Sequence, residues 1–329
     1  RVAVYTFHAL VGQDWRRARV FGLALGVAVL TTQTLAMSGL FLPELTTYLP
    51  NQISWVPLIA GAVLFGLGMA LVGTCAFGSL VRLGGGDLRS LIILIIFGAV
   101  AYAMSRGVLA PLRIDLVALF AVPVPGNTAS DLPRLLSHAG LPDARLLATV
   151  LIGAGLIAIA VRDTRLRKAR RLMTAGVLLG LAVTAGWLAT QTLADPLDPA
   201  IRSQSLTYVA PVGRAFFGLL LNIVDWRDFG VGSVFGVAFG AFVAARYADE
   251  FRWNAFDDAV EMRRHLIGAV LMGLGGVLAG GCTIGQGLTA GSLLAITWPV
   301  SIGGMVIGAR IGIAILIGES LRDLIFRRN

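Results

Sequence analysis

Long apolar runs joined by short polar or basic connectors dominate this chain, and a run of about eighteen such residues can cross a bilayer as a helix. Nine segments follow the pattern: Val20–Ser38, Trp55–Thr74, Leu91–Ser105, Leu146–Val161, Leu172–Leu193, Leu206–Val224, Phe229–Tyr247, Leu266–Gly281 and Leu293–Ile317. The sixth holds Pro211, Gly213 and Arg214, which predicts a broken helix rather than a full span. Gly78–Ser90, GSLVRLGGGDLRS, is too polar and too rich in glycine for an ordinary span. It predicts a loop that enters the membrane and returns, a backbone tolerated where protein or a water-filled cavity surrounds it. Gly107–Arg145, with several prolines and alternating charge, is expected to lie along a membrane face. The expected fold is an all-α integral membrane protein, one domain over 1–329, with about nine transmembrane helices.

Charge supplies the orientation. RDTRLRKARR, Arg162–Arg171, has six basic residues and one acidic, the clearest cytoplasmic marker under the positive-inside rule. It is also the expected hinge between a first half, 1–161, and a second, 172–329. Arg16, Arg17 and Arg19 place the start of the first span in the cytoplasm, whereas FLPELTTYLPNQIS has no basic residue and reads as external.

Composition agrees. Of 329 residues, 57% are hydrophobic and only 14% charged, against about 25% in soluble domains, so a water-soluble fold would expose far too much apolar surface. The net charge of +9 is read as cytoplasmic arginine together with a field that draws anions. Nucleic-acid binding is excluded because no long basic face forms. Two cysteines without a CxxC pair argue against a disulfide framework, a zinc site or a dithiol redox motif. No metal or cofactor is inferred.

The most informative feature is a repeat. GAVLFGLGMALVGTCAFG, Gly61–Gly78, recurs as GAVLMGLGGVLAGGCTIG, Gly268–Gly285, with 11 of 18 positions identical and Cys75 and Cys282 at the same place 207 residues apart. The first copy follows a connector without basic residues, and the second follows Arg263 and Arg264. The two are therefore expected to run in opposite directions, the inverted-repeat plan in which sites form at the midplane. TQTLA at Thr32–Ala36 and again at Thr190–Ala194 points the other way, because both of those helices start in the cytoplasm.

An isolated membrane cysteine is ordinarily a small hydrophobe. A pair at equivalent points of a repeat, each followed three residues on by glycine, points to a ligand. Glycine permits close backbone approach, and successive amides in such a turn form an anion-binding concavity. The thiol, with an ordinary pKa of about 8.5, stays protonated and donates a weak S–H hydrogen bond. Its soft sulfur suits an anion with a terminal sulfur better than phosphate, for which arginine forks are expected. The candidate substrate site is Cys75 and Cys282 with Gly73, Gly78, Gly281, Thr283, Gly285 and Gln286, and Arg82 and Arg214 are candidate anion guides. The alternative is a membrane thiol enzyme that passes sulfane sulfur through a persulfide, although the sequence offers no general base beside either thiol.

GLGMALVGTCAFGSLVRLGGGDLRSL and GLGGVLAGGCTIGQGLTAGS resemble the two hallmark motifs of the YeeE/YedE family, and the resemblance covers nearly the whole chain. It implies an hourglass-like membrane domain of about nine spans with short re-entrant helices in the bacterial inner membrane. It implies import of thiosulfate, handed between cysteines by S–H···S contacts, and a small soluble sulfur-carrier protein of the TusA type as partner. It also implies a third pore cysteine in the second half. This chain has none, and Val231–Ala245 offers only small apolar residues, phenylalanine and Ser233. Either the relay runs on two thiols, or the substrate is another sulfur or selenium species.

Overall fold

The computed structural model describes residues 16–124, 130–138, 140, 143–192, 202–225, 227–256 and 258–318. In chain order the helices are α1 (Arg16–Met37), α2 (Trp55–Val72), α3 (Ala76–Gly84), α4 (Leu88–Arg106), α5 (Ala110–Leu119), α6 (Leu132–His138), α7 (Ala144–Val161), α8 (Thr164–Lys168), α9 (Arg170–Gln191), α10 (Ala210–Leu221), α11 (Phe229–Tyr247), α12 (Ala259–Leu278) and α13 (Thr297–Ile317). Two short strands, β1 (Gln52–Ser54) and β2 (Ala121–Pro123), form a small antiparallel pair outside the helical body. The chain is an all-α membrane protein. Among the described residues, seven helical segments are long and apolar enough to cross a bilayer: α1, α2 with α3, α4, α7, α9, α11 and α13.

Seven differs from the nine expected, for two local reasons. α12 is long enough, but its first two turns carry Glu261, Arg263 and Arg264. α10 is only 12 residues long, because Pro211 in its first turn sets where the helix starts and Asn222, left-handed at φ 55, ends it. Boundaries shift elsewhere too. The last helix begins at Thr297, since Leu294 is left-handed at φ 56 and Pro299 fits the first turn, where amides have no helical partner. Leu193, the expected end of the fifth span, lies outside the described residues. Within Gly78–Ser90 the structure has a nine-residue helix, α3, running to Gly84, then a tight turn and Asp87 capping α4. Ala76, Gly78, Ser79 and Leu80 are buried while Val81 is exposed, so this helix presents one face to the core.

The core is built on glycine contacts that let helix backbones meet. A Cβ on Gly61, near the start of α2, would strike Leu278 and Ala279 at the end of α12. One on Gly68 would strike the Gly268 carbonyl and Met272, nearer the start of α12. The two helices therefore pack antiparallel. The contacts also exchange under the offset of the sequence repeat, for Gly68 meets Gly268 and their respective counterparts, Gly275 and Gly61, meet as well. The outer neighbours follow suit. Gly66 of α2 faces Met305 and Ala309 of α13, and its counterpart Gly273 of α12 faces Phe97 and Val100 of α4.

α1 and α9 behave differently. Gly176 faces Val20, Gly180 faces Ala24 and Val27, and Thr184 bonds Thr31 and Thr32 at 2.6 and 3.1 Å. Contact positions rise together along both helices, so these two run parallel. The start of α1 is tied to the basic connector by the Arg19–Asp163 ion pair, and the Arg165 amide hydrogen bond to Asp163 is the main influence holding that carboxyl below its usual range.

Candidate functional site

Each cysteine loop is made by a helix that stops abruptly. Gly73 closes α2 at φ 75, and its amide bonds the Met69 carbonyl at 2.9 Å. An L side chain is strained in that left-handed conformation, whereas glycine is not. The chain leaves the helix and sets Cys75 in an extended conformation at the N-cap of α3. There the sulfur accepts the Gly78 amide at 3.5 Å, taking the place of the usual oxygen cap. Arg82, in the last turn of α3, reaches back to the Gly73 carbonyl at 3.2 Å.

The second loop repeats this. Its left-handed residue is Gly280, at φ 71, which is the counterpart of Gly73. Gly281, the position singled out from the motif, instead has its amide bonded to the Gly276 carbonyl at 2.9 Å. Cys282 accepts the Gly285 amide at 3.4 Å, and the amides of Tyr208 and Ile284 also face its sulfur. Gly285–Ala290 is π-helical and entirely buried. Gln286 braces the loop, its Nε2 donating to the Ala279 carbonyl at 2.8 Å. A Cβ on Gly285 would come within 2.7 Å of Thr207 Oγ1 and 2.8 Å of Tyr48 Oη, so only glycine fits without displacing both hydroxyls.

Distant elements hold this second loop in place. Gln33 of α1 donates to the Ser292 carbonyl at 2.9 Å, Trp187 of α9 donates to the Ser292 hydroxyl at 3.1 Å, and Thr289 donates to the Leu206 carbonyl at 2.6 Å. Leu132 and Ser130 clip the turn beyond it through backbone bonds to Leu294 and Ile296. Asp131, beside that clip, is bonded to Arg145 at 3.1 Å. Burial raises its pKa, and Arg134 and Arg145 offset part of that rise.

Both cysteines are buried, 5% and 0% exposed, and remain free thiols. Tyr208 joins the two loops. Its ring packs on Phe77 of α3 at 5.2 Å, its side chain lies within electrostatic range of both thiols, and its amide faces Cys282. Sequence reasoning missed it because Leu206–Val224 reads as one interrupted apolar run. Pro211 was the available signal, since it fits the first turn of α10 and leaves Tyr208 in the irregular stretch just before that helix. Around the thiols, Thr74 Oγ1, Ser79 Oγ, Thr283 Oγ1 and Gln286 Oε1 are buried without a hydrogen-bond partner among the described residues. Buried polar atoms are rarely left so, and four of them beside two cysteines mark a place suited to a polar ligand.

A cavity opens next to each loop. The larger, about 780 Å³, touches Val72, Gly78 and Arg82 and is also lined by Asp87, Arg89, Glu250, Glu261, Arg264 and His265. The smaller, about 380 Å³, touches Gly280 and Gly281 and is lined by Tyr48, Thr207, Arg106, Arg202 and Arg214. Arginines and carboxylates balance in the first, whereas among the described residues the second is lined by arginines without a carboxylate. Arg89 bridges Asp87 and Glu261 at 3.1 and 3.2 Å.

Arg214 is paired rather than isolated. It forms a two-pronged ion pair with Asp228, at 2.6 and 3.1 Å, while Asp228 caps α11 through the Gly230 amide. Asparagine also caps well, so Asp228→Asn keeps the cap and loses the charge. We expect a stability loss of about 1.5–3 kcal/mol, the range for hydrogen bonds to charged groups. A double-mutant cycle with Arg214→Met, read by thermal unfolding in detergent, checks it. Simple additivity would mean the pair contributes nothing.

Comparison with known proteins adds the family. The family model described as sulphur transport matches residues 5–311. The chain is 29% identical over 293 residues to the thiosulfate transporter TsuA of Escherichia coli (strain K12), covering 85% of this chain and 79% of that protein. It is 31% identical over 266 residues to the thiosulfate transporter TsuA of Spirochaeta thermophila, covering 77% and 76% respectively. With a buried thiol at each of two matching helix ends and a family match over almost its whole length, the chain belongs to the sulphur transport (YeeE/YedE) family.

Proposed function

We propose that this protein is a membrane transporter, not an enzyme, and imports a sulfur-containing anion, namely thiosulfate, passing its terminal sulfur from Cys282 to Cys75. The observation that carries the reading is the matched pair of N-cap thiols, with N–H···S distances of 3.5 and 3.4 Å, each beside its own cavity. An amide occupies a lone pair of each sulfur and leaves the S–H hydrogen to donate to the ion. Such bonds are weak, which favours conduction, because a site that lets an ion in must also release it. Two relatives of similar length are named as thiosulfate transporters, which supports the choice of substrate.

The exchange of contacts between α2 and α12 supports two pseudo-symmetric, inverted repeats. Two cavities narrowing toward the cysteine loops would give an hourglass. Placing the basic connector Arg162–Arg171 in the cytoplasm puts Arg263 and Arg264 there too, and with them the larger cavity. The smaller, arginine-lined cavity then faces outward and collects anions, while carboxylates in the larger one weaken the hold on the departing ion. In bacteria this orientation corresponds to uptake across the inner membrane.

The test is growth. A host lacking its own thiosulfate uptake should grow on thiosulfate as sole sulfur source when it expresses this protein. No growth at good expression in the membrane would show that thiosulfate is not the substrate.

A further inference from the structure

Tyr208 is buried at 0% exposure, packed on Phe77, and within electrostatic range of Cys282 and Cys75. Among the described residues its hydroxyl has no hydrogen-bond partner at bonding geometry. The Ser233 hydroxyl lies beside it, with its own hydrogen given to the Gly230 carbonyl at 2.7 Å. Packing alone would be served by phenylalanine, and a phenol left unsatisfied in the interior is costly. The hydroxyl therefore has a donor to offer a ligand, and both thiols lie within its electrostatic range.

We propose that Tyr208 is a specificity-determining residue that recognises the oxygen end of the anion. Its phenol donates to a sulfonate-type oxygen while the thiols hold the terminal sulfur. The proposal rests on the thiol reading above and adds the second end of the ion to it. A phenol is a harder and stronger donor than a thiol. Together they select an ion bearing both a terminal sulfur and oxygens over sulfate, which lacks the first, and over thiocyanate, which lacks the second.

The experiment uses the purified full chain in liposomes, with uptake of ³⁵S-labelled thiosulfate measured for wild type, Tyr208→Phe, Cys75→Ala and Cys282→Ala. Removing one hydrogen bond to a charged group should raise KM for thiosulfate about tenfold to a hundredfold in Tyr208→Phe. Inhibition by thiocyanate, which offers no oxygen, should be unchanged in that variant. A merely structural role would instead weaken both ions together and lower thermal stability. An unchanged KM, or thiosulfate and thiocyanate shifting in parallel, would overturn the proposal. Full uptake in both cysteine variants would remove the thiol reading itself, and the division into sulfur and oxygen ends with it.

Discussion

Cells relying on the Cys282→Ala or Cys75→Ala variant should fail to grow on thiosulfate while the wild type grows. Each alanine removes one S–H donor and the soft sulfur it carries. It also removes the N-cap that receives the Gly285 or Gly78 amide, at a cost of about 1 kcal/mol. Serine separates these effects. A hydroxyl caps a helix at least as well as a thiol, so Cys282→Ser and Cys75→Ser should fold and insert normally. It keeps an O–H donor but is harder and less polarizable, so it matches the ion's soft sulfur poorly, and uptake should still drop about tenfold, a mismatch of about 1.4 kcal/mol. Both variants are compared at matched membrane levels by labelled uptake. Serine variants that transport like the wild type would show that the positions matter for capping alone. Intact-mass measurement during turnover completes the experiment, because a conduit leaves both cysteines as thiols whereas a sulfur-transferring enzyme would load one as a persulfide.

The second large effect concerns the helix crossings behind the site. A Cβ on Gly308 would stand 1.9 Å from the Val63 carbonyl oxygen, and one on Gly66 would stand 2.0 Å from the Met305 carbonyl oxygen. Both obstacles are backbone, so neither can rotate aside, and α2 and α13 must separate along their length. Overpacking costs about 1–3 kcal/mol where side chains can adjust, and more is expected here. Gly308→Ala and Gly66→Ala should therefore lower the thermal midpoint of the detergent-solubilised protein by several degrees and reduce its yield. Gly236 on α11 is the control, since a Cβ there meets nothing within 4 Å and alanine is the better helix former. If Gly308→Ala were as stable as Gly236→Ala, α2 and α13 would not be in backbone contact at this crossing. Because α2 ends at Gly73, separation of these helices would also disturb the Cys75 loop, so uptake should fall along with stability.

What the sequence determined by itself is what depends on local pattern. Run length and apolarity set the class, an all-α membrane protein, because an unpaired backbone in lipid leaves the helix as the economical solution. The duplicated glycine-cysteine motif marked Cys75 and Cys282, since identical short sequences terminate helices by the same local chemistry. Boundaries were less legible. Gly280 rather than Gly281 takes the left-handed turn, and two adjacent glycines permit either choice until the loop is packed.

Only the tertiary structure decided which residues meet. Arg214 stood out as a lone charge in an apolar run, yet Asp228 lies against it from the cap of another helix. Tyr208 was one more aromatic in a hydrophobic stretch until the fold set it against Phe77 and beside two cysteines 207 positions apart. The parallel pairing of α1 with α9 and the antiparallel pairing of α2 with α12 coexist in one molecule, so the two conflicting repeats each describe a different pair of helices. Periodicity records which residues avoid water or favour a helix. Which helix backbones come together is set by complementary glycine surfaces far apart in the chain, and that information exists only once both surfaces are folded.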